Sequence, residues 1–218
     1  MSKCKEYSVY FAGDLFNSKD LLGNAVMADA IFEVSQGRYK CVLPQDLEQN
    51  KLNPKAIRDS DILNLLSSDV AIFNFDGSEL DSGTVVEFMF AKFADIPSVV
   101  LRSDFRNGGD CQKTNCNEKG DDTVFPPWNL MASFYPRTKI VLANCAKEYA
   151  LAHGNSKEKA FASILQIAKK VVSSFDEVVA TKPVMQKNIK SAVYQWLAVM
   201  PNLDKKIISK LKRALAKK

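Results

Sequence analysis

Apolar residues recur along this chain in two alternating rhythms, one suited to strands and one to helices. Tyr7–Ala12 is β-branched and aromatic and stops at Gly13, and Ser18–Val34 then reads as a helix. Tyr39–Leu43 is a second short strand halted by Pro44. From Asn53 to Leu66, residues Ile57, Ile62, Leu65 and Leu66 carry helical spacing. Val70–Phe73 reads as a third strand, Thr84–Ala94 as a third helix and Ser98–Leu101 as a fourth strand. Strands alternating with helices predict a parallel sheet covered on both faces, whose ligand crevice lies beyond the carboxyl ends of the strands.

Two later regions break this rhythm. Residues 103–128 hold three glycines, two prolines and many polar groups, which is too long for a simple connection and reads as an insertion. Beyond Gly154, residues Ala160, Phe161, Ile164, Ile167, Ala168 and Val171 share one helical face. A second amphipathic run includes Ile189, Val193, Trp196 and Leu197, and a third spans 205–218 with Ile207, Leu211 and Leu215 on one side. The expected organisation is an α/β domain over 1–155 followed by a basic helical extension over 156–218, with no internal repeat.

With 46% apolar and 25% charged residues in 218, the chain has ordinary globular composition, excluding disordered and collagen-like classes. It shows neither the apolar core of a signal peptide nor a membrane-spanning run, so a soluble, cytoplasmic protein without membrane partners is expected. Charge is uneven: residues 1–155 carry 16 Lys and Arg against 21 Asp and Glu, whereas 156–218 carry 14 against 4. A basic tail can serve nucleic acid, but lysines on amphipathic helices are more often a solvated face, and that is the reading adopted.

Composition also narrows the chemistry. Cys4, Cys41, Cys111, Cys116 and Cys145 are odd in number and irregularly spaced, so they read as reduced. Cys111 and Cys116 form a C-x4-C pair, but His153 is the single histidine, and no metal site is expected. One histidine also disfavours Ser-His-Asp and Cys-His hydrolases, and neither a G-x-G-x-x-G fingerprint nor a Walker A loop is present. Carboxylate chemistry without a cofactor is what remains.

The most informative stretch runs from Phe73 to Glu87, leaving the third strand, turning through Gly77 and Gly83 and entering a helix. It places Asp76, Asp81 and Glu87 where such a sheet opens its crevice. Thr84-x-x-Glu87 matches a capping box, in which both side chains only satisfy backbone donors. The same glutamate, among Val85, Val86, Phe88, Met89 and Phe90, also suits a nucleophile kept ionised at a helix start, and both readings stand. Asp61 on the apolar stripe of its helix, Asp69, and Tyr10 in the first strand each have a plain alternative, as solvated edge residues or a core aromatic.

Together these segments resemble the nucleoside 2-deoxyribosyltransferase family over roughly residues 7–145. The opening Val-Tyr10-Phe-Ala-Gly13-Asp-Leu-Phe16 is similar to the family's first strand and loop, and residues 57–69 to its helix with a base-site aspartate. Asp76-Gly77 followed by Asp81-Ser-Gly-Thr-Val-Val-Glu87 resembles its D-G and D-x-G-T-x-x-E signature, the most specific element. Trp128-Asn-Leu-Met131 resembles the N-L-M segment that a neighbouring subunit contributes. The resemblance implies a doubly wound sheet of flavodoxin-like or Rossmann-like type, a homo-oligomer with shared sites, and deoxynucleoside and nucleobase substrates. It implies Glu87 as nucleophile, Asp61 as the group assisting the base and Tyr10 as the residue that positions Glu87. Asp81, Asp76, Gly13, Phe16, Gln45, Asn129 and Met131 become substrate-binding candidates.

On that expectation, a carboxylate beneath the anomeric carbon stabilises an oxocarbenium-like transition state, bonds to the sugar, and passes it to a second base with retention. The closest rival is an N-glycoside hydrolase acting on deoxynucleosides or their 5'-phosphates. The loop Gly13-Asp-Leu-Phe-Asn17 is acidic and apolar, which favours an uncharged 5'-hydroxyl. A nucleotide-binding sensor or an NAD-cleaving domain is the third reading.

Overall fold

A computed structural model describes residues 5–47, 53–104 and 126–216. Cys4, the Cys111/Cys116 pair and most of the expected insertion lie outside the described residues.

Five parallel strands form one sheet in the order β2-β1-β3-β4-β5. They are β1 (Tyr7–Ala12), β2 (Tyr39–Val42), β3 (Val70–Asn74), β4 (Ser98–Arg102) and β5 (Thr138–Leu142). The helices are α1 (Ser18–Val34), α2 (Pro44–Leu47), α3 (Pro54–Ser67), α4 (Ser82–Phe93), α5 (Cys145–Leu151), α6 (Ser156–Ala180), α7 (Lys187–Val199) and α8 (Lys205–Leu215). Four strands fall where the apolar rhythm predicts. The fifth, β5, was not expected, because as an edge strand it leaves Lys139 and Ile140 exposed and lacks the buried run of a central strand.

Strand alternation sorts the core into two layers. Val9, Phe11, Ile72, Val99 and Leu101 point to one face and pack with Ile31 of α1 and with Ile167, Val171 and Phe175 of α6. Tyr10, Ala12, Ala71, Phe73 and Val100 point to the other, joined by Leu65 and Leu66 of α3 and Phe88 of α4. This parity places Tyr10 beneath α4.

Residues 156–180, assigned by the sequence to the extension, therefore form the helix that completes the first layer, so packing does not break at residue 155. Asp176 of α6 reinforces that join, accepting from Arg38 at 2.8 and 2.9 Å and from the Tyr39 hydroxyl at 2.7 Å. The α7–α8 pair packs on the second layer, burying Tyr194, Leu197, Leu203 and Leu211. Among the described residues no helix is long and apolar enough to cross a membrane.

Candidate active site

The sheet order reverses between β1 and β3, the point at which doubly wound sheets open a crevice. Tyr10 in β1 lies opposite Ala71 of β3 and is fully buried. Its hydroxyl donates to Oε1 of Glu87 at 2.5 Å. A phenol is a good donor to a carboxylate, and a charge-assisted bond of this length fixes the rotamer of Glu87.

How Glu87 reaches that position corrects one expectation. Asp81, not Thr84, is the N-cap of α4: its Oδ2 accepts from the Thr84 amide at 2.6 Å and from the Thr84 hydroxyl at 2.8 Å. Thr84 is buried, and a Cβ at Gly83 would stand 3.1 Å from Asp81 Oδ2, so the D-x-G-T spacing builds this cap. Glu87 then falls in the second helical turn, beyond reach of the cap, and its carboxylate is given to Tyr10 instead.

Asp61 approaches from α3, a helix begun by the Asn53 cap with Pro54 in its first turn. Asp61 and Glu87 line one cavity of about 660 Å3 between α3 and α4. Its other walls are largely apolar, with Ile57 and Leu65 from α3 and Val86 and Phe90 from α4, and Met200 and Pro201 add to them from the turn after α7. A cavity of this size and lining suits a small organic ligand held by a few polar groups.

None of the remaining candidates is among the residues lining that cavity. Asp76 accepts from the Ser103 amide and hydroxyl at 2.5 and 2.7 Å and from the Asp104 amide at 2.8 Å, tying the β3–α4 loop to the end of β4. Buried Arg102 completes that clamp by donating to the carbonyls of Phe75 at 2.6 Å and Gly77 at 3.0 Å. Gly77 has φ +104°, a conformation that favours glycine. Asp76 faces a second cavity of about 560 Å3 on the α1/α6 side of the sheet, with Asn74 and Cys145.

Gly13 passes so close to β3 that a Cβ there would lie 3.1 Å from Asn74 Cβ. Phe16 is 79% exposed, and Gln45 donates to the Leu21 carbonyl at 3.1 Å. Asn129 caps a short 3-10 turn (Leu130–Ala132) through the Met131 amide, and Met131 is 76% exposed. Asp69 accepts from the Ser8 amide and hydroxyl, a strand-pinning role. Sequence reading missed Arg102, Ser103, Met200 and Pro201. The first two show only as polar residues after a strand, and the last two reach the cavity solely through long-range packing.

The order of the strands defines a flavodoxin-like α/β protein with a tyrosine-held carboxylate at its switch point. The family model described as nucleoside 2-deoxyribosyltransferase matches residues 9–131, more than half of the chain, and the protein belongs to that family of enzymes acting on nucleosides and nucleobases. No curated protein matches. Among solved structures, a conserved protein from Enterococcus faecalis V583 is 22% identical with TM-score 0.50, covering 76% of this chain and 99% of its own. A 2-deoxyribosyltransferase from Bacillus psychrosaccharolyticus (12% identity, TM-score 0.41) covers 45% of this chain and 74% of its own. One from Leishmania mexicana (19%, 0.43) covers 58% and 85%.

Proposed function

We propose that this enzyme transfers 2-deoxyribose between nucleobases through a covalent glycosyl-Glu87 intermediate, with retention at the anomeric carbon. The observation that carries the reading is the Tyr10–Glu87 bond of 2.5 Å, made beside a cavity that Asp61 shares. The bond restrains the carboxylate of a residue that lines the cavity, and a nucleophile held in place needs less reorganisation before attack.

In the first step a Glu87 oxygen bonds to C1' as the N-glycosidic bond breaks. The base departs with the bond's electron pair and takes up a proton supplied through Asp61. In the second step a nitrogen of the incoming base attacks C1', Glu87 leaves as carboxylate, and the incoming base returns a proton to Asp61. Two displacements give retention. A 2'-hydroxyl would withdraw electrons from the anomeric carbon and crowd Glu87, which accounts for a preference for deoxyribose. Water in place of the second base gives hydrolysis, the alternative outcome.

Asn129 and Met131 act in a neighbour's site within a homo-oligomer. The exposure of Leu130 (41%), Met131 (76%) and Phe134 (56%) on one short segment supports this, since such apolar groups are buried at interfaces. Asp81, Asp76, Gly13, Phe16 and Gln45 shape the sugar side of the site, Asp81 and Asp76 through the loops they hold. The setting is cytoplasmic nucleoside salvage.

Incubating the protein with deoxyinosine or thymidine plus adenine tests the proposal. New deoxyadenosine, lost about a thousandfold or more in Glu87→Ala, is expected. Free base without new nucleoside identifies a hydrolase, and no reaction with either donor rejects the catalytic reading.

A further inference from the structure

We propose that the turn joining α7 and α8 is the specificity wall of the Glu87 cavity, with Met200 the side chain that meets the nucleobase. This rests on the transferase reading of the site. Met200 and Pro201 line the same cavity as Asp61 and Glu87 although they lie well over a hundred residues beyond them in the chain. Asp61 is the group assigned to the base, so the wall beside it on α3 faces the base rather than the sugar.

The turn is fastened to the helix that carries Asp61. Arg58 donates to the Pro201 carbonyl at 2.9 Å, and the Asp204 amide donates to Asp59 Oδ2 at 3.2 Å. Asp59 is itself buried, at 1% exposure, and takes Lys55 and Arg58 at 2.6 Å each. Burial alone would raise its carboxyl, but the bonds from Lys55, Arg58 and the Asp204 amide hold it below the usual carboxylate range. Leu203, 5% exposed, anchors the same turn in the core, and Asp204 caps α8 through the Lys206 amide.

Hydrogen bonds with two consecutive α3 residues, Arg58 donating and Asp59 accepting, and one buried leucine thus hold the turn over the cavity, leaving Met200 at its edge, 54% exposed. An unbranched thioether there can lie against the flat face of a base and adjust to its width. The cavity, about 660 Å3, takes a bicyclic purine with that side chain in place. Asp59 and Arg58 are positioning residues for this wall.

Two readouts on the full chain test the wall. With methionine methyls labelled with 13C, the Met200 resonance, identified by its loss in Met200→Leu, is expected to shift on adding deoxyinosine while that of Met185 stays. An unmoved Met200 resonance at saturating nucleoside overturns the proposal whether or not exchange occurs. In exchange assays, Met200→Trp should lower kcat/KM for deoxyinosine relative to thymidine about tenfold or more, and Met200→Ala should move the ratio the other way. A ratio unchanged in both, with wild-type circular dichroism, overturns the wall and leaves the transferase reading intact. A wild-type chain that exchanges no base overturns that reading, and the specificity wall with it.

Discussion

The Tyr10 hydroxyl lies 2.5 Å from Oε1 of Glu87, although the two residues are 77 positions apart in the chain. Tyr10 is wholly buried and Glu87 half-buried, so the bond forms at the inner edge of the cavity, where its donor is shielded from water. Tyr10→Phe should therefore lose a bond to a charged group worth about 1.5–3 kcal/mol. If it orients Glu87 for attack, kcat should fall roughly ten- to a hundredfold with little change in KM. Steady-state kinetics on a deoxynucleoside donor checks this; a change confined to KM would assign Tyr10 to binding.

Asp81 holds the start of α4 by accepting from both the amide and the hydroxyl of Thr84. Asp81→Ala should cost about 0.5–2 kcal/mol, seen as a lower midpoint in urea unfolding, and Asp81→Asn should retain most of the stability. Equal loss in both would show that the negative charge, not the cap, is what α4 requires.

Lys92 sits at the end of α4, donating to the Ile96 carbonyl at 2.9 Å and the Thr138 hydroxyl at 3.0 Å. Burial, aided by nearby Arg137 and opposed by Asp95, lowers its ammonium to about 7. The unfolded amine ionises below about 10.5, so from pH 7 upward the unfolded chain holds a proton that the folded chain lacks, and stability rises with pH. Cys41, raised to about 12 by burial and then by Asp29, acts oppositely above about pH 9. Urea unfolding at pH 7, 8 and 9 should show a rise in wild type that is reduced in Lys92→Met.

A site shared between subunits makes a strict prediction about mixtures. Glu87→Ala and Asn129→Ala homo-oligomers should each be nearly inactive. After unfolding and refolding together, hybrids pair an intact Glu87 with an intact Asn129, and exchange activity should return. Activity in Asn129→Ala alone, or none in the mixture, would place Asn129 outside the neighbour's site.

Four of the five strands were legible because they depend on local pattern. Glu87 stood in a short acidic segment after a strand, while Tyr10 showed only as an aromatic in a strand, and its pairing with Glu87 was expected from the family resemblance alone. The helix start misled because Thr84-x-x-Glu87 and Asp81-x-x-Thr84 overlap as capping patterns. What decides between them is where the chain leaves β3, which the clamp of Arg102 and Asp76 sets through contacts some 25 residues apart. The role of α6 was hidden for a similar reason. Its apolar face was visible, but its partner layer on β1 and α1 could be assigned only once β5 had been placed at the sheet edge. The α7–α8 turn has no local signature at all: Met200 and Pro201 reach the cavity because Arg58, Asp59 and Leu203 hold the turn there.

The central claim is that Glu87 becomes covalently glycosylated. The most direct measurement is to mix the protein with a deoxynucleoside and no acceptor base, quench in acid within milliseconds to seconds, digest, and analyse the peptides by mass spectrometry. The account predicts one 2-deoxyribosyl group on the peptide bearing Glu87, lost on adding adenine and absent in Glu87→Ala. Base exchange proceeding with that peptide unmodified, or with the sugar on another residue, would contradict it.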